Sequence, residues 1–233
     1  MSRYYRIEMH AHTRETSPCA CVNAPELVER YLARGYDAIV ITDHLSPGNF
    51  MSYYEKNDWE GALEAFLAGY RAVKKEAGDR MRVYLGMEIR FPANSNDYLV
   101  YGFDEAFLRE HPFPHMGSIA EFHKLCEGTP IRIFQAHPFR FGMTLANPKW
   151  IDGLEVYNGC VRHRSHNAFA NLWAESLGLP GVAGSDFHER GDEGRGGILL
   201  PELPADEAAL SDALLSPEKL LVQTPLHNDN MEE

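Results

Sequence analysis

Histidines and carboxylates recur in this chain where short apolar runs give way to polar residues. His10 and His12 close the first such run, and Asp186 and His188 follow the last one. Three runs between them end in a single such residue: His44, Glu88 and His137. Imidazole and carboxylate together suit zinc, manganese and ferrous iron, and a carboxylate can bridge two ions. Because these side chains outnumber the four ligands of one tetrahedral ion, the pattern predicts at least two divalent metal ions.

The elements that must position these side chains are short apolar runs alternating with longer helical patterns. The runs predict strands at Tyr4–Met9, Asp37–Thr42, Arg82–Ile89, Tyr98–Phe103, Ile131–Gln135, Gly153–Tyr157 and Gly181–Ala183. Each helical pattern is followed by a glycine, as is typical of helix ends, and the patterns are Pro25–Arg34, Trp59–Ala77, Ser118–Glu127 and His163–Leu177. This alternation predicts parallel strands joined by right-handed crossovers, hence an α/β sheet or barrel.

A barrel would explain how ligands so distant in the sequence can act together. The C-terminal ends of parallel barrel strands converge on one face, so these side chains would meet in one cavity. His10 and His12 are two residues apart, and the two-residue period of a strand sends both to the same side. The least regular stretches also follow strands, and they are Ser46–Asp58, Asp104–Gly117, Phe139–Lys149 and Glu189–Gly197.

Length and composition set broad limits on the class of protein. A chain of 233 residues suits one domain, which we place at residues 1–225, followed by a polar tail at 226–233. With 44% hydrophobic and 24% charged residues the chain is an ordinary globular protein, which excludes disordered and coiled-coil classes. The formal charge of −12 gives no general basis for binding duplex nucleic acid or an anionic membrane.

The N-terminal segment and the cysteines bear on the cellular compartment. The segment has no apolar signal region, and no apolar run approaches the ~20 residues that cross a bilayer. Four cysteines form neither a dense disulfide framework nor paired zinc-binding spacings, which predicts reduced thiols. We therefore expect a cytoplasmic protein. Cys19 and Cys21 are two residues apart and can in principle chelate a metal, but a second cysteine pair is missing.

Five motifs in series resemble the PHP (polymerase and histidinol phosphatase) family of metal-dependent phosphoesterases, in a bacterial branch of it. The motifs are Glu8-Met9-His10-Ala11-His12-Thr13, Ile41-Thr42-Asp43-His44, Gly86-Met87-Glu88, Ala136-His137-Pro138 and Gly184-Ser185-Asp186-Phe187-His188. The resemblance implies a single-domain, distorted (β/α)7 TIM-like barrel. It also implies two or three divalent metal ions (Zn, Mn or Fe), with phosphate-ester hydrolysis as the commonest activity.

The resemblance further implies how the ligands are shared among the ions. By position, the first ion would be bound by His10, His12, Glu88 and Asp186. The second would be bound by Glu88 and His137, and the third by His44 and His188. Glu15 is the strong ligand nearest the position where family members complete the third ion. A histidine expected for the second ion is absent, and Asp97 or Asp104 can substitute for it.

These observations predict hydrolysis of a phosphate monoester, on a small molecule or a nucleotide, by a metal-activated hydroxide. Asp43 is the candidate for a catalytic role, in proton exchange or in orienting His44. Arg140 and Arg195 are candidates for holding the phosphate. The Gly191–Gly197 loop lacks the spacing of a nucleotide-binding P-loop.

Two other functions remain open at this point. A metal amidohydrolase would act on a C–N bond, but such barrels commonly carry a lysine at a strand end, and none of these strand ends has one. A non-catalytic metal-binding module is the other alternative. The expected partner is a small phosphorylated substrate, and neither its identity nor the oligomeric state can be read from the sequence.

Overall fold

The structure is a computed structural model that describes residues 3–224. The predicted tail at 226–233 and the last residue of the predicted domain lie outside the described residues. Within residues 3–224, no helix combines the length and the apolar character needed to cross a membrane.

Eleven strands and seven α-helices make up the described part of the chain. The strands are β1 Tyr5–Ala11, β2 Ala38–Ile41, β3 His44–Leu45, β4 Arg82–Leu85, β5 Met87–Arg90, β6 Asp97–Tyr101, β7 Arg132–Gln135, β8 Gly153–Asn158, β9 Gly181–Gly184, β10 Gly196–Leu200 and β11 Leu220–Gln223. The helices are α1 Ala24–Ala33, α2 Pro47–Glu55, α3 Trp59–Ala77, α4 Glu105–Glu110, α5 Ile119–Cys126, α6 Asn167–Leu177 and α7 Glu207–Ala213. Short 3-10 helices span Pro114–Met116 and Pro148–Trp150.

The strands form two sheets, ordered β11-β10-β1-β2-β4 and β3-β5-β6-β7-β8-β9. The expectation of parallel strands is wrong for β1–β10, β10–β11, β5–β6 and β6–β7, which pair antiparallel. The predicted strand Arg82–Ile89 is broken at Gly86, and its halves β4 and β5 lie in different sheets. A Cβ at Gly86 would lie 2.7 Å from Val40 Cγ1, so only glycine fits where the chain crosses between sheets.

One apolar core lies between the two sheets. Ile7 and Val40 of the first sheet belong to the same buried cluster as Leu99 and Phe134 of the second. The Tyr101 hydroxyl crosses this core and donates to the Met9 carbonyl at 2.9 Å. The two sheets therefore wrap around a shared interior, which confirms the predicted class of a distorted α/β barrel.

Helices cover the outside of the sheets, and local signals set their ends. Helix α3 has the bounds predicted from the sequence, with the Asp58 side chain accepting from Gly61 N at 2.9 Å. The capping box predicted from Ser118 and Glu121 is present at the start of α5. Helices α2 and α4 lie in stretches that looked irregular in the sequence, because their short apolar faces repeat too few times to show a helical period.

Candidate metal centre

The strand-end histidines and carboxylates converge at one end of the barrel. Their ligand atoms form three groups, and within each group these atoms lie within 4.8 Å of one another. The groups are His12, His44 and His188; His10, His12 and Asp186; and Glu88, Asp97 and His137. All seven ligands inferred from strand ends are present in these groups.

Glu88 lies at the middle of this arrangement. Its Oε1 is 3.0 Å from His137 Nε2 and 3.5 Å from His10 Nε2. Its Oε2 is 2.9 Å from His44 Nδ1 and 3.4 Å from His12 Nε2. Because the two oxygens face different histidines, this carboxylate can bridge two ions.

Two aspartates complete the carboxylate set. Asp186 Oδ1 lies 3.4 Å from His10 Nε2 and 3.3 Å from His188 Nδ1. Asp97 Oδ2 lies 3.9 Å from His137 Nε2 and also pairs with Arg90. Asp104 instead caps helix α4 by accepting from Phe107 N. Of the two aspartates considered for the second ion, only Asp97 therefore reaches its histidine.

The backbone is strained at two of these ligands. His137 and Asp186 have φ angles of +29° and +54°, a region that residues other than glycine rarely adopt. Strain of this kind persists only where the surrounding structure imposes it, and it concentrates at functional sites. Close packing adds to the constraint, because a Cβ at Gly184 would lie 2.4 Å from the Cβ of His10.

Glu155 is a buried carboxylate that the sequence interpretation missed. Its Oε1 is 2.8 Å from His10 Nδ1, and its Oε2 accepts from His137 N at 2.8 Å and from Asn158 Nδ2 at 3.0 Å. A carboxylate behind a ligating imidazole orients the ring and raises its basicity. The available signal was a charged residue in the middle of an apolar strand, since Glu155 lies in the fully buried β8.

Asp43 does not join the ligand groups. Its carboxylate accepts from Thr13 N, Thr13 Oγ1 and Ser17 Oγ, each at 2.7 Å. Burial raises the pKa of Asp43 to about 6, even though these hydrogen bonds oppose the change. The structure therefore places this residue beneath the segment that follows β1, where it holds that segment against β2.

The remaining predicted site residues are Glu15, Arg140 and Arg195. Glu15 is exposed and accepts from Ala24 N at 2.9 Å at the start of α1, so the structure does not bring it to the third group. The Arg140 guanidinium donates to Asp186 Oδ2 at 2.6 Å and lies at the centre. Arg195 donates from Nε to the Gly191 carbonyl within its own loop.

The buried carboxylates and histidines of this centre shift one another's pKa values strongly. Burial would raise the pKa of Glu88, but His10 and His44 hold it well below its usual range. Burial lowers the pKa of His12 well below its usual value, and His188 and His44 lower it further. Burial opposes the change, but Glu155, Asp186 and Glu88 raise the pKa of His10 well above its usual value. A divalent ion that binds here would therefore displace protons from imidazoles.

The ring nitrogens of these histidines fit a donor set for metal ions. His10 Nε2 and His12 Nε2 face each other at 3.0 Å. The buried Nδ1 atoms of His12 and His137 have no hydrogen-bond partner in the described part of the chain. Buried polar atoms are normally satisfied, so each of these unpaired nitrogens is an exception within the centre. Fold and site together define an α/β barrel protein with a buried multi-histidine, multi-carboxylate centre.

Comparisons with known proteins find similarity in sequence over parts of the chain. A family model described as PHP-associated matches residues 164–217. A curated relative, the DNA polymerase III PolC-type of Clostridium perfringens, is 29% identical over 106 residues. That match covers 46% of this chain and 6% of the polymerase, so the chain spans a small part of that relative. Over residues 164–217 the chain is therefore similar to PHP-associated proteins, in agreement with the resemblance that its motifs predicted.

Solved structures share the fold at low sequence identity. PsfC from Pseudomonas syringae PB-5123 has a TM-score of 0.66 and 19% identity, covering 95% of this chain and 92% of that one. A Bacteroides vulgatus two-domain protein containing a predicted PHP-like metal-dependent phosphoesterase has a TM-score of 0.63 and 15% identity, covering 95% and 65%. An amidohydrolase from Chromobacterium violaceum, with bound sulfate and no metal, has a TM-score of 0.53 and 15% identity, covering 96% and 99%.

Proposed function

We propose that this protein is a metal-dependent phosphoesterase that hydrolyses a phosphate monoester of a small molecule or a nucleotide. The observation that carries the proposal is the position of Glu88, whose two oxygens face His10 and His137 on one side and His12 and His44 on the other. A bridging carboxylate between two sets of imidazoles is suited to a centre of at least two ions.

The three ligand groups support one set of residues for each of three ions. His10, His12 and Asp186, with Glu88, would hold the first ion, and Glu88, Asp97 and His137 the second. His12, His44 and His188 would hold a third. When bound, such ions supply an acidified water and neutralise charge on a phosphate.

The protein's own residues would orient the ligands and the substrate. Glu155 holds the His10 ring in place from behind through Nδ1. Arg140 carries a positive charge to the edge of the centre, where its guanidinium contacts Asp186 at 2.6 Å and Asn158 at 3.1 Å. A phosphate that reaches this edge would receive hydrogen bonds in the planar geometry that guanidinium groups offer.

Metal content and hydrolysis of an aryl phosphate test the proposal together. Protein reconstituted with manganese, zinc or iron should hold about two to three ions per chain and release the phenol. Glu88→Gln keeps the side-chain shape and removes the charge, so we expect it to lose hydrolysis and at least one ion. The control is Glu218→Gln, because that residue is exposed. Full activity and full metal content in Glu88→Gln would overturn the proposal.

A second candidate is hydrolysis of a C–N bond, which the likeness to an amidohydrolase of the same fold favours. A panel of phosphate monoesters and amides, tested with the same reconstituted protein, separates the two candidates. Turnover of amides alone would replace the proposed reaction. Metal binding without turnover of either class would point to a non-catalytic metal module.

A further inference from the structure

We propose that Asn158 is a positioning residue for the substrate phosphate and that it acts through Arg140. Its side-chain amide would hold the Arg140 guanidinium at the edge of the metal centre, where the phosphate arrives. This inference rests on the proposed function, and it adds a residue that belongs to none of the ligand groups.

The side-chain amide of Asn158 joins this arginine to two buried carboxylates. Asn158 ends β8 and is fully buried. Its Oδ1 accepts from Arg140 Nη2 at 3.1 Å. Its Nδ2 donates to Glu155 Oε2 at 3.0 Å and to Asp186 Oδ2 at 3.2 Å. An uncharged amide can offer an acceptor to a guanidinium and two donors to carboxylates at the same time.

The two oxygens of Asp186 have different partners. Oδ1 faces the imidazoles, at 3.4 Å from His10 Nε2 and 3.6 Å from His12 Nε2. Oδ2 instead accepts from Arg140 Nη2 at 2.6 Å and from Asn158 Nδ2 at 3.2 Å. Because Arg140 Nη2 already serves two acceptors, a phosphate would be bound through Nε and Nη1 of the same guanidinium.

Further contacts hold the amide of Asn158 in this orientation. Its Oδ1 also accepts from Cys160 N at 3.1 Å and from Ser165 Oγ at 3.3 Å. Asn167, the first residue of α6, holds the backbone: its Oδ1 accepts from Asn158 N at 3.0 Å, and its Nδ2 donates to the Asn158 carbonyl at 3.1 Å. Turning the amide over would direct its NH2 group at donors and its oxygen at carboxylates. Only the observed orientation therefore satisfies every contact.

Burial makes this arrangement effective. The Arg140 side chain is 15% exposed and that of Asp186 is 2% exposed. Hydrogen bonds to charged groups are strong, and they strengthen further where water is excluded. Without the amide, Arg140 would keep Asp186 as its one acceptor and could take up more than one orientation. Phosphate binding would then have to order the guanidinium, and this ordering lowers affinity.

The test measures the binding of inorganic phosphate to the metal-loaded protein by calorimetry. Asn158→Ala should weaken phosphate binding about 10-fold, the size expected when a hydrogen bond to a charged group is lost. The KM for the aryl phosphate should rise by a similar factor, with a smaller change in kcat. Asn147→Ala is the matched control, because Asn147 is exposed and follows the same strand, β7, as Arg140.

A double-mutant cycle shows whether Asn158 acts through Arg140. Arg140→Ala alone should weaken phosphate binding about 100-fold. Adding Asn158→Ala to Arg140→Ala should change the affinity by less than about 2-fold, because the side chain that the amide positions is already gone. Effects that multiply independently in the double variant would overturn the inference.

Metal content distinguishes this role from the orientation of a metal ligand. Asn158 contacts Oδ2 of Asp186, whereas Oδ1 faces the imidazoles, so Asn158→Ala should keep the wild-type number of ions per chain. Loss of an ion with unchanged phosphate affinity would contradict the proposed role.

Asn158→Asp is a second variant, of nearly the same size as the wild type. Its carboxylate would attract the Arg140 guanidinium and compete with the phosphate, so this variant should also bind phosphate more weakly. Asn147→Asp adds the same charge at an exposed position and should leave phosphate binding unchanged. Unfolding curves of all variants show which of them keep the fold.

The outcomes separate this inference from the proposed function. A wild type that binds phosphate and hydrolyses the aryl phosphate, with phosphate affinity unchanged in folded Asn158→Ala or Asn158→Asp, would overturn the role of Asn158 alone. A metal-loaded wild type that neither binds phosphate nor hydrolyses the aryl phosphate would overturn both.

Discussion

At the scale of single residues, the centre depends on side chains that need not touch a metal ion themselves. Glu155 accepts one hydrogen bond from the His10 ring, one from the His137 backbone and one from Asn158. All of its partners are donors, so the ionised form matches every contact. A glutamine side chain in its place would point its NH2 group, which is a hydrogen-bond donor, at one of these donors.

We therefore expect Glu155→Gln to weaken metal binding about 10- to 100-fold, the usual effect of losing the partner behind a ligating histidine. The measurement is a metal titration of the chelator-treated protein, accompanied by an unfolding curve to show that the fold persists. Glu218→Gln again serves as the control, because its side chain is exposed and belongs to none of the ligand groups. Unchanged affinity in Glu155→Gln would mean that the His10 ring is oriented by other contacts.

His115 is a buried histidine that takes no part in the metal centre. It is fully buried among the rings of Phe50, Trp59 and Phe113, and neither ring nitrogen has a hydrogen-bond partner in the described part of the chain. Burial lowers the pKa of His115 from 6.5 to about 4. Between these values the unfolded chain takes up a proton that the folded chain does not, so stability is lost as the pH falls from 6.5 to 4.

Replacing this residue should reduce the sensitivity of the fold to acid. Between pH 7 and pH 5 we expect His115 to account for about 2 kcal/mol of lost unfolding free energy, and His115→Phe to remove that part. Urea unfolding at the two pH values measures the difference. The same replacement at the half-buried His123 is the control. An equal loss of stability in wild type and His115→Phe would contradict the prediction.

At the scale of elements, helix α3 packs closely against the segment that follows β1. Gly69 lies where the helix passes this segment, and a Cβ there would be 2.0 Å from Thr13 Oγ1 and 2.4 Å from Asp43 Oδ2. These two atoms are hydrogen-bonded to each other beneath the segment. The glycine therefore permits a close approach that joins the helix, the segment and β2.

Gly69→Ala should destabilise the protein by about 1–3 kcal/mol, because overpacking outweighs the ~1 kcal/mol that alanine normally adds to a helix interior. Gly48→Ala in α2 is the matched control, since its Cβ would meet only Ser46 Oγ at 3.8 Å. We expect that control to be unchanged or slightly more stable. Urea unfolding of both variants gives the comparison, and equal stabilities would show that the approach at Gly69 relaxes without penalty.

At the scale of the whole molecule, the centre concentrates negative charge in an already acidic protein. The formal charge of the chain is −12, and three bound dications would halve it. Glu88, Asp97 and Asp186 are all buried within the ligand groups. An acidic protein can therefore present a positive pocket to a phosphate once its ions are bound.

Metal ions should also stabilise the whole fold, because their ligands come from strands throughout the barrel. At a free-ion concentration 1,000 times the dissociation constant, one site adds about 4 kcal/mol. That corresponds to a rise in Tm on the order of 10 °C. Thermal unfolding with added manganese or zinc, and again with a chelator, measures the shift. The rise in Tm caused by metal should be smaller in Glu88→Gln. Identical unfolding curves with and without metal would rule out a structural role for the ions.

Much of the site could be predicted from the sequence because strand ends are local features. The apolar runs that end in His10, His44 and Glu88 mark strands by their composition, and strand ends in an α/β barrel share one face. Helix α3 could be bounded to the residue because a capping aspartate and a terminal glycine flank it. These inferences need only neighbouring residues and the regular geometry of the elements.

Only the tertiary structure decided which residues support those ligands. Asp97 rather than Asp104 reaches His137, Asp43 holds the segment that follows β1, and Glu15 lies apart from the centre. The antiparallel pairing of β6 and the division of the strands into two sheets were likewise absent from the local pattern. The physical reason is that these features depend on contacts between segments far apart in the chain. Such contacts produce no periodic pattern in the local sequence.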